Sequence, residues 1–259
     1  MRRVLRIAGL TGLISYTVVC LTIVRFERDI VFPAPESPSR LWRWSKLQIP
    51  GGTTMLWAPA ADFAPVVVFF HGNAEQIAEA EWLADRFHAS GIAFAAVEYP
   101  GYAGLPGTPS EASLRVAAEA ALTHLVGPMS VAPSRIVLIG QSLGTGVAVQ
   151  LAAAQWGRKL VLISPYTSLP DLGAERLPFL PVRLLMKNHF DSAELAPRVH
   201  QPVLIVHGTQ DTVVPFEHGQ ALSTLFEPDA RFIGIDGGTH FDLWDRTYVQ
   251  DRVAEFILQ

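Results

Sequence analysis

An apolar run, Ile136-Val137-Leu138-Ile139, passes without a break into Gly140-Gln141-Ser142-Leu143-Gly144, and a helical pattern begins at once. Few architectures accept that junction. A strand that turns into a helix within a few residues has to fold the helix back onto its own sheet, which is the building step of a parallel α/β layer. The two glycines let strand and helix approach closely around a sharp turn, so the serine between them stands exposed at the carboxyl end of the strand. The helix N-terminus beneath it favours developing negative charge. Apolar runs at 46–49, 53–58, 66–70, 93–97, 136–139, 160–163, 203–206 and 231–235 alternate with helical patterns at 75–90, 110–126, 143–156, 216–226 and 245–258. The later runs are continuously apolar and rich in Val and Ile, which suits parallel strands covered by helices on both faces. Ser110, after Pro109, is a good N-cap for its helix. The expected fold is therefore α/β, a doubly wound, mostly parallel sheet of about eight strands, with ligands at the strands' carboxyl ends.

With 259 residues, about half of them apolar, the chain suits one large domain better than two small ones. A formal net charge of −4 leaves no basic surplus, so nucleic acid is not an expected partner. Cys20 is the only cysteine, which excludes a disulfide framework and a thiolate metal site. Arg2, Arg3 and Arg6 precede an uncharged stretch at 7–24 that is about long enough to cross a bilayer as a helix. A cleaved signal would show small residues after the apolar run; Arg25-Phe26-Glu27-Arg28-Asp29 follows instead. The expected division is a membrane anchor at 1–28 and a single folded domain at 29–259. The three leading arginines favour a cytoplasmic N-terminus with the domain on the outer, periplasmic or lumenal side, and Arg25 and Arg28 oppose that bias. Phe32-Pro33-Ala34-Pro35-Glu36-Ser37-Pro38-Ser39 reads as a proline-rich connector.

The glycines around Ser142 could also mark a nucleotide loop. Gly144-Thr145-Gly146-Val147-Ala148-Val149, however, has Val where a dinucleotide fingerprint requires Gly or Ala, and no Walker lysine is present. A serine hydroxyl is a weak nucleophile and needs a base, which in turn needs an orienting acid. On an elbow of this kind the order along the chain is Ser, acid, His. The strand pattern at 203–206 ends in His207-Gly208-Thr209-Gln210-Asp211, which puts Asp211 in a polar loop at a strand's carboxyl end. After the preceding strand the chain reads Ser164-Pro165-Tyr166, with no carboxylate before Asp171. His240 lies in a glycine-bearing loop after the last strand, within Asp236-Gly237-Gly238-Thr239-His240-Phe241. His218 falls in a helical pattern and is expected to be solvated. Ser142, Asp211 and His240 are thus the expected nucleophile, acid and base. The expected oxyanion donors are the backbone N–H groups of Leu143 and Asn73, with Ala74 as the near alternative to Asn73. No metal ligand pair and no cofactor motif is found.

His71-Gly72-Asn73, Glu98-Tyr99-Pro100-Gly101-Tyr102, Pro109-Ser110-Glu111, the elbow, Ser164-Pro165-Tyr166-Thr167-Ser168-Leu169, His207 to Asp211 and Gly238-Thr239-His240 occur in this order. Together they resemble the membrane-anchored branch of alpha/beta hydrolases related to serine aminopeptidases, monoacylglycerol and lysophospholipid lipases, and protein depalmitoylases. The resemblance runs from about residue 30 to the C-terminus. It implies the alpha/beta-hydrolase fold and the same triad of Ser142, Asp211 and His240. The chain departs from it at Ala74-Glu75-Gln76, where relatives more often have Gly after Ala.

Residues 165–197 are expected to form a short cap, and Leu177-Pro178-Phe179-Leu180-Pro181-Val182-Arg183-Leu184-Leu185-Met186 is its apolar centre. A greasy cap on a tethered hydrolase suits an acyl chain, so the favoured activity is cleavage of acyl esters or thioesters without a cofactor. The same segment could equally be a helix packed on the sheet. A serine aminopeptidase is the alternative, with Glu98 as the only obvious carboxylate for a substrate amine. A non-catalytic membrane-bound interaction protein would have no use for all three triad residues.

Overall fold

A computed structural model of the chain describes residues 2–36, 43–228 and 230–259. Eight strands form one sheet: β1 (Ser45–Ile49), β2 (Thr53–Ala58), β3 (Val66–Phe70), β4 (Ala93–Val97), β5 (Ile136–Gln141), β6 (Lys159–Ile163), β7 (Val203–Gly208) and β8 (Arg231–Ile235). Their order is β1-β2-β4-β3-β5-β6-β7-β8. The pairs β1/β2 and β2/β4 are antiparallel, and from β4 onwards every pair is parallel. All eight strand runs expected from the sequence are present. The helices are α1 (Arg2–Val31), α2 (Glu81–Ala89), α3 (Glu111–Val126), α4 (Leu143–Ala153), α5 (Leu169–Arg176), α6 (Val182–Leu185), α7 (Ser192–Leu195), α8 (Phe216–Ser223) and α9 (Thr247–Leu258). This is the alpha/beta-hydrolase fold.

Alternation along the central strands builds two cores. Val66, Val68 and Phe70 of β3 and Ile136 and Leu138 of β5 face α3 and α4. Val67, Phe69, Val137 and Ile139 face the opposite layer, where Leu83 and Phe87 of α2 meet Val253 and Phe256 of α9. Both faces of these strands are covered, which is why their sequences are continuously apolar. Ser110 caps α3 as expected: its hydroxyl accepts from the Ser113 N–H at 3.1 Å, and its own N–H donates to Ser113 Oγ at 2.9 Å.

Three departures bear on the site. The uncharged stretch at 7–24 lies inside a longer helix, because α1 continues through the charged turn to Val31. Phe32 still donates to the Arg28 carbonyl at 2.7 Å; the proline connector is non-helical through Glu36, and its last residues, Ser37 to Ser39, lie outside the described residues. Residues 75–90 are not one helix: a 3-10 turn at Ile77–Ala80 precedes α2, because the Glu98 carboxylate receives the Ile77 N–H. The segment between β6 and β7 folds as α5, α6 and α7, pieces of eight residues or fewer. Such short helices have no sustained period and depend on tertiary packing.

The order of strands changes direction between β3 and β5. Chain leaves β4 and β5 on opposite sides of β3, so the carboxyl ends of β3 and β5 open a crevice between them. The loop after β3 and the elbow after β5 both enter it.

Candidate active site

The elbow is built by close contact. A Cβ on Gly140 would overlap the Gly144 carbonyl, and one on Gly144 would overlap the carbonyls of Phe70 and His71. Without side chains there, α4 can leave directly from β5 and press on the end of β3. Ser142 takes up the remaining bend at φ 48° and ψ −117°, a strained conformation costing on the order of 1–3 kcal/mol. It is held there by Thr145, whose hydroxyl donates to the Ser142 carbonyl at 2.6 Å, and by the Ser142 N–H bonded to Ile163 at 2.9 Å.

Three residues distant in sequence meet at that serine. Ser142 Oγ lies 2.9 Å from Nε2 of His240, and Nδ1 of His240 lies 2.8 Å from Oδ2 of Asp211. Asp211 follows β7 and His240 follows β8. Their loops are fastened to each other by main-chain bonds from Thr209 to Ile235 (2.9 Å) and from Gln210 to Gly238 (2.8 Å). Oδ1 of Asp211 receives the N–H groups of Val213 at 2.9 Å and Val214 at 2.8 Å, which leaves Oδ2 facing the imidazole. Burial alone would raise the Asp211 pKa. Hydrogen bonds from His207 and His240, the charge of His240 and the Val214 N–H outweigh it and hold the carboxyl well below the usual range. His207 therefore belongs to the same cluster, a place for which its own sequence context assigns no role. It is fully buried, with Nε2 donating to the Val214 carbonyl at 2.9 Å and lying 3.4 Å from Asp211 Oδ2. Its position four residues before Asp211, at the end of the same strand, was the available signal.

His218 is not solvated, contrary to expectation. It is buried under the cap, with Nδ1 2.8 Å from the Thr167 hydroxyl and Nε2 3.2 Å from Glu175 of α5. One face of α8 turns towards the cap, and a polar side chain on that face needs partners once water is excluded.

Asn73 and Leu143 are brought together with Ser142 on one cavity. Leu143 is the first residue of α4, where a helical N–H has no partner inside the helix. The Asn73 side chain is engaged on both ends: Nδ2 donates to the Val31 carbonyl at 2.6 Å, and Oδ1 accepts from the Tyr102 hydroxyl at 2.8 Å. Ala74 follows at φ 59°.

Beneath this loop, His71 is fully buried, with Nδ1 2.8 Å from the Gly72 carbonyl and Nε2 3.0 Å from Glu98 Oε1. Both ring nitrogens face oxygens that can accept, an arrangement that favours the charged ring. Burial opposes that charge, but the hydrogen bond and charge of Glu98, with Glu75 nearby, raise the pKa on balance. Glu98 is 2% exposed, and its second oxygen receives the Ile77 N–H at 3.1 Å. It is therefore closed to a substrate amine, the role considered for it from the sequence. Glu75, at the departure from the family pattern, braces the loop: its carboxylate accepts from the Gly72 N–H at 2.9 Å and from Gln141 Nε2 at 2.8 Å.

The cavity beside Ser142 holds about 390 Å³ and is overwhelmingly apolar. Leu172 and Leu177 of the cap region, Val182, Met186 and Val214 line it with Tyr166. A smaller cavity of about 250 Å³ lies beside the His240 loop, between Trp82, Phe241, Trp244 and Glu75. Among the described residues, no group of three or more His, Cys, Asp or Glu side chains is placed to hold a metal ion.

Residues 62–191 match the family model described as serine aminopeptidase, S33. The chain is 35% identical over 234 residues to the uncharacterized protein Rv2307c of Mycobacterium tuberculosis, covering 90% of this chain and 79% of that one. It is 28% identical over 206 residues to alpha/beta hydrolase domain-containing protein 17B of Xenopus laevis, covering 78% of this chain and 68% of the relative. Among solved structures, the esterase Pf2001 of Pyrococcus furiosus superposes with a TM-score of 0.70 at 17% identity, over 87% of this chain and 98% of that one. At that identity the likeness speaks for the fold alone. With its strand order, its elbow and the family match over half its length, the chain belongs to the serine aminopeptidase, S33, family and is an alpha/beta hydrolase.

Proposed function

We propose that the protein is a serine esterase or thioesterase for acyl groups, with Ser142 as nucleophile, His240 as general base and Asp211 as the orienting acid. The observation that carries this is the hydrogen-bonded line from Ser142 Oγ through His240 to Asp211, at 2.9 and 2.8 Å, opening on an apolar cavity. His240 Nε2 takes the serine proton as Oγ attacks the acyl carbonyl carbon. Asp211 holds the imidazole with Nδ1 protonated and stabilises the imidazolium that forms. The negative oxygen is received by the N–H groups of Leu143 and Asn73. As the tetrahedral intermediate collapses, the carbon–oxygen or carbon–sulfur bond breaks and His240 returns its proton to the leaving group. Water then attacks the acyl-enzyme by the same route.

An acyl substrate is favoured over a peptide because the cavity offers methylenes a place to bury, each worth about 0.8 kcal/mol. The carboxylate that could have received a peptide amine, Glu98, is spent on His71 and Ile77.

We further propose that α1 anchors the chain in a membrane. The helix carries a stretch, Leu10–Val31, that by length and composition could cross a membrane, and its final turns from Ile23 onward lie against the catalytic domain. Residues 1–28 then serve as the anchor and 29–259 as the catalytic domain, with the last turns of α1 shared between them. The leading arginines favour a cytoplasmic N-terminus and an outer, periplasmic or lumenal, domain.

A panel of p-nitrophenyl esters of increasing chain length, run beside aminoacyl anilides, tests the activity. Ester turnover with fluorophosphonate labelling, both lost in a folded Ser142→Ala protein, is the expected result. Labelling retained in that variant would show that the nucleophile lies elsewhere.

A further inference from the structure

Helix α1 does not simply end where the folded domain begins. Ile23, Glu27, Ile30 and Val31 recur at the spacing of one helical face, and all four line the cavity that contains Ser142. Leu172, Leu177 and Met186 line the same cavity. The last turns of the helix are therefore one wall of that cavity, and the residues between β6 and β7 are another.

The wall is fastened in place. Glu27, in an otherwise apolar neighbourhood, is only 5% exposed. Its Oε1 receives the N–H groups of Lys187 (2.8 Å) and Asn188 (3.0 Å) and the Asn188 side-chain amide (3.2 Å). Asn188 in turn accepts the Glu111 N–H at the start of α3, at 2.8 Å. One turn beyond Glu27, the Val31 carbonyl receives Asn73 of the loop beside Ser142 at 2.6 Å. Higher up, the Tyr16 hydroxyl donates to the Phe179 carbonyl of the cap at 3.0 Å. A helix needed only for tethering has no reason to be bonded to the cap, to α3 and to the loop beside the serine. Nor has it reason to turn its isoleucines into the cavity.

We infer that Ile23 and Ile30 are specificity-determining residues, against which the far methylenes of a linear acyl chain lie while its carbonyl sits at Ser142. This inference rests on the acyl-hydrolase reading above. Ile23 is partly buried within the cavity, and Ile30 is 62% exposed at its edge. Each methylene that reaches this wall should raise kcat/KM by about fourfold, the factor that corresponds to burying one CH₂. The gain should stop where the cavity ends.

The test uses the full chain in detergent micelles and p-nitrophenyl esters from acetate to palmitate. Ile23→Trp fills the cavity from the helix side, and the ratio of kcat/KM for laurate over acetate should fall by about tenfold or more. Ile23→Ala enlarges it and should move the preferred chain length upward. If Ile23→Trp does not fold, Ile23→Ala and Ile30→Trp decide the matter between them. A laurate-to-acetate ratio within about twofold of wild type in folded variants that still label with fluorophosphonate overturns the inference. A wild-type protein that neither labels nor hydrolyses any ester overturns the acyl-hydrolase reading itself, an outcome distinct from an unchanged ratio.

Discussion

Asn73 donates its side-chain amide to the main-chain carbonyl of Val31 across 2.6 Å, so the loop beside Ser142 is tied to the last residue of the N-terminal helix. The Tyr102 hydroxyl holds the other end of the same side chain at 2.8 Å. A main-chain donor aimed at an oxyanion is useful to the extent that it need not move when charge develops. Asn73→Ala keeps the N–H and removes both restraints. The expected outcome in steady-state kinetics with p-nitrophenyl acetate is a fall in kcat of roughly tenfold, with KM changed much less. Wild-type kcat in this variant would mean that the loop holds its shape without them.

A second expectation concerns Asp211 and pH. Its carboxyl is held well below the usual range, so it stays ionised throughout the range in which an ordinary Asp would begin to protonate. The stability sign follows from the same shift. A depressed pKa contributes stability that is fully present above the unfolded carboxyl value of about 3.9 and is lost as pH falls through the folded value. Asp211→Asn should lower kcat by about 10⁴-fold, because an amide no longer enforces the imidazole tautomer. In urea titrations it should be less stable than wild type at pH 7, with the gap closing towards pH 2. A gap independent of pH would show that the ionised carboxylate is not what stabilises the loop.

The buried pair of His71 and Glu98 gives a prediction of opposite sign. Burial works against the imidazolium, but the Glu98 partner raises the pKa on balance. A raised histidine pKa contributes stability that is present below the unfolded value of about 6.5 and lost as pH rises through the folded value. Glu98→Gln leaves the buried charge without a counter-ion, and breaking such a pair costs about 3–5 kcal/mol. The loss should be large at pH 6 and smaller at pH 9, as read from chemical denaturation at the two values. Equal losses at both would point to packing, not charge.

The parts of this molecule that were legible in its sequence are those whose physics is local. Each strand of the sheet is a short apolar run bounded by turn residues, and the elbow is legible because only glycines allow strand and helix to approach as Gly140 and Gly144 do. The relation of Ser142, Asp211 and His240 was accessible because each follows a strand, and strand ends converge in this fold. What was hidden depends on contacts made far along the chain. Glu27 reads as one more charge at the end of an anchor, yet its partners lie at Lys187 and Asn188. Glu98 reads as a free carboxylate until the sheet places His71 beside it. His218 has a polar helical setting in sequence and acquires a buried one only when α5 folds over α8.

The N-terminal helix can be cut in two places, and the two cuts should differ. Removing residues 1–20 takes away most of the exposed apolar length but spares Ile23, Glu27 and Val31. What remains of the helix is shorter than the roughly 20 residues a span needs, so the protein should leave the membrane fraction. It should still hydrolyse p-nitrophenyl acetate and keep its chain-length profile. Removing residues 1–28 should also release the protein, but it takes Ile23 from the cavity wall and leaves the Lys187 and Asn188 N–H groups without Glu27. A hydrogen bond to a charged group contributes about 1.5–3 kcal/mol, and its donor turns to water once the helix is gone. For a domain of this size that corresponds to a Tm lowered by roughly 4–8 °C if two kcal/mol are lost. Preference for long acyl chains should weaken at the same time, because the far end of the cavity has lost a wall. Differential scanning fluorimetry and the ester panel read both effects on the same two proteins. Matching Tm values and matching profiles would show that the final turns of α1 belong to the anchor alone.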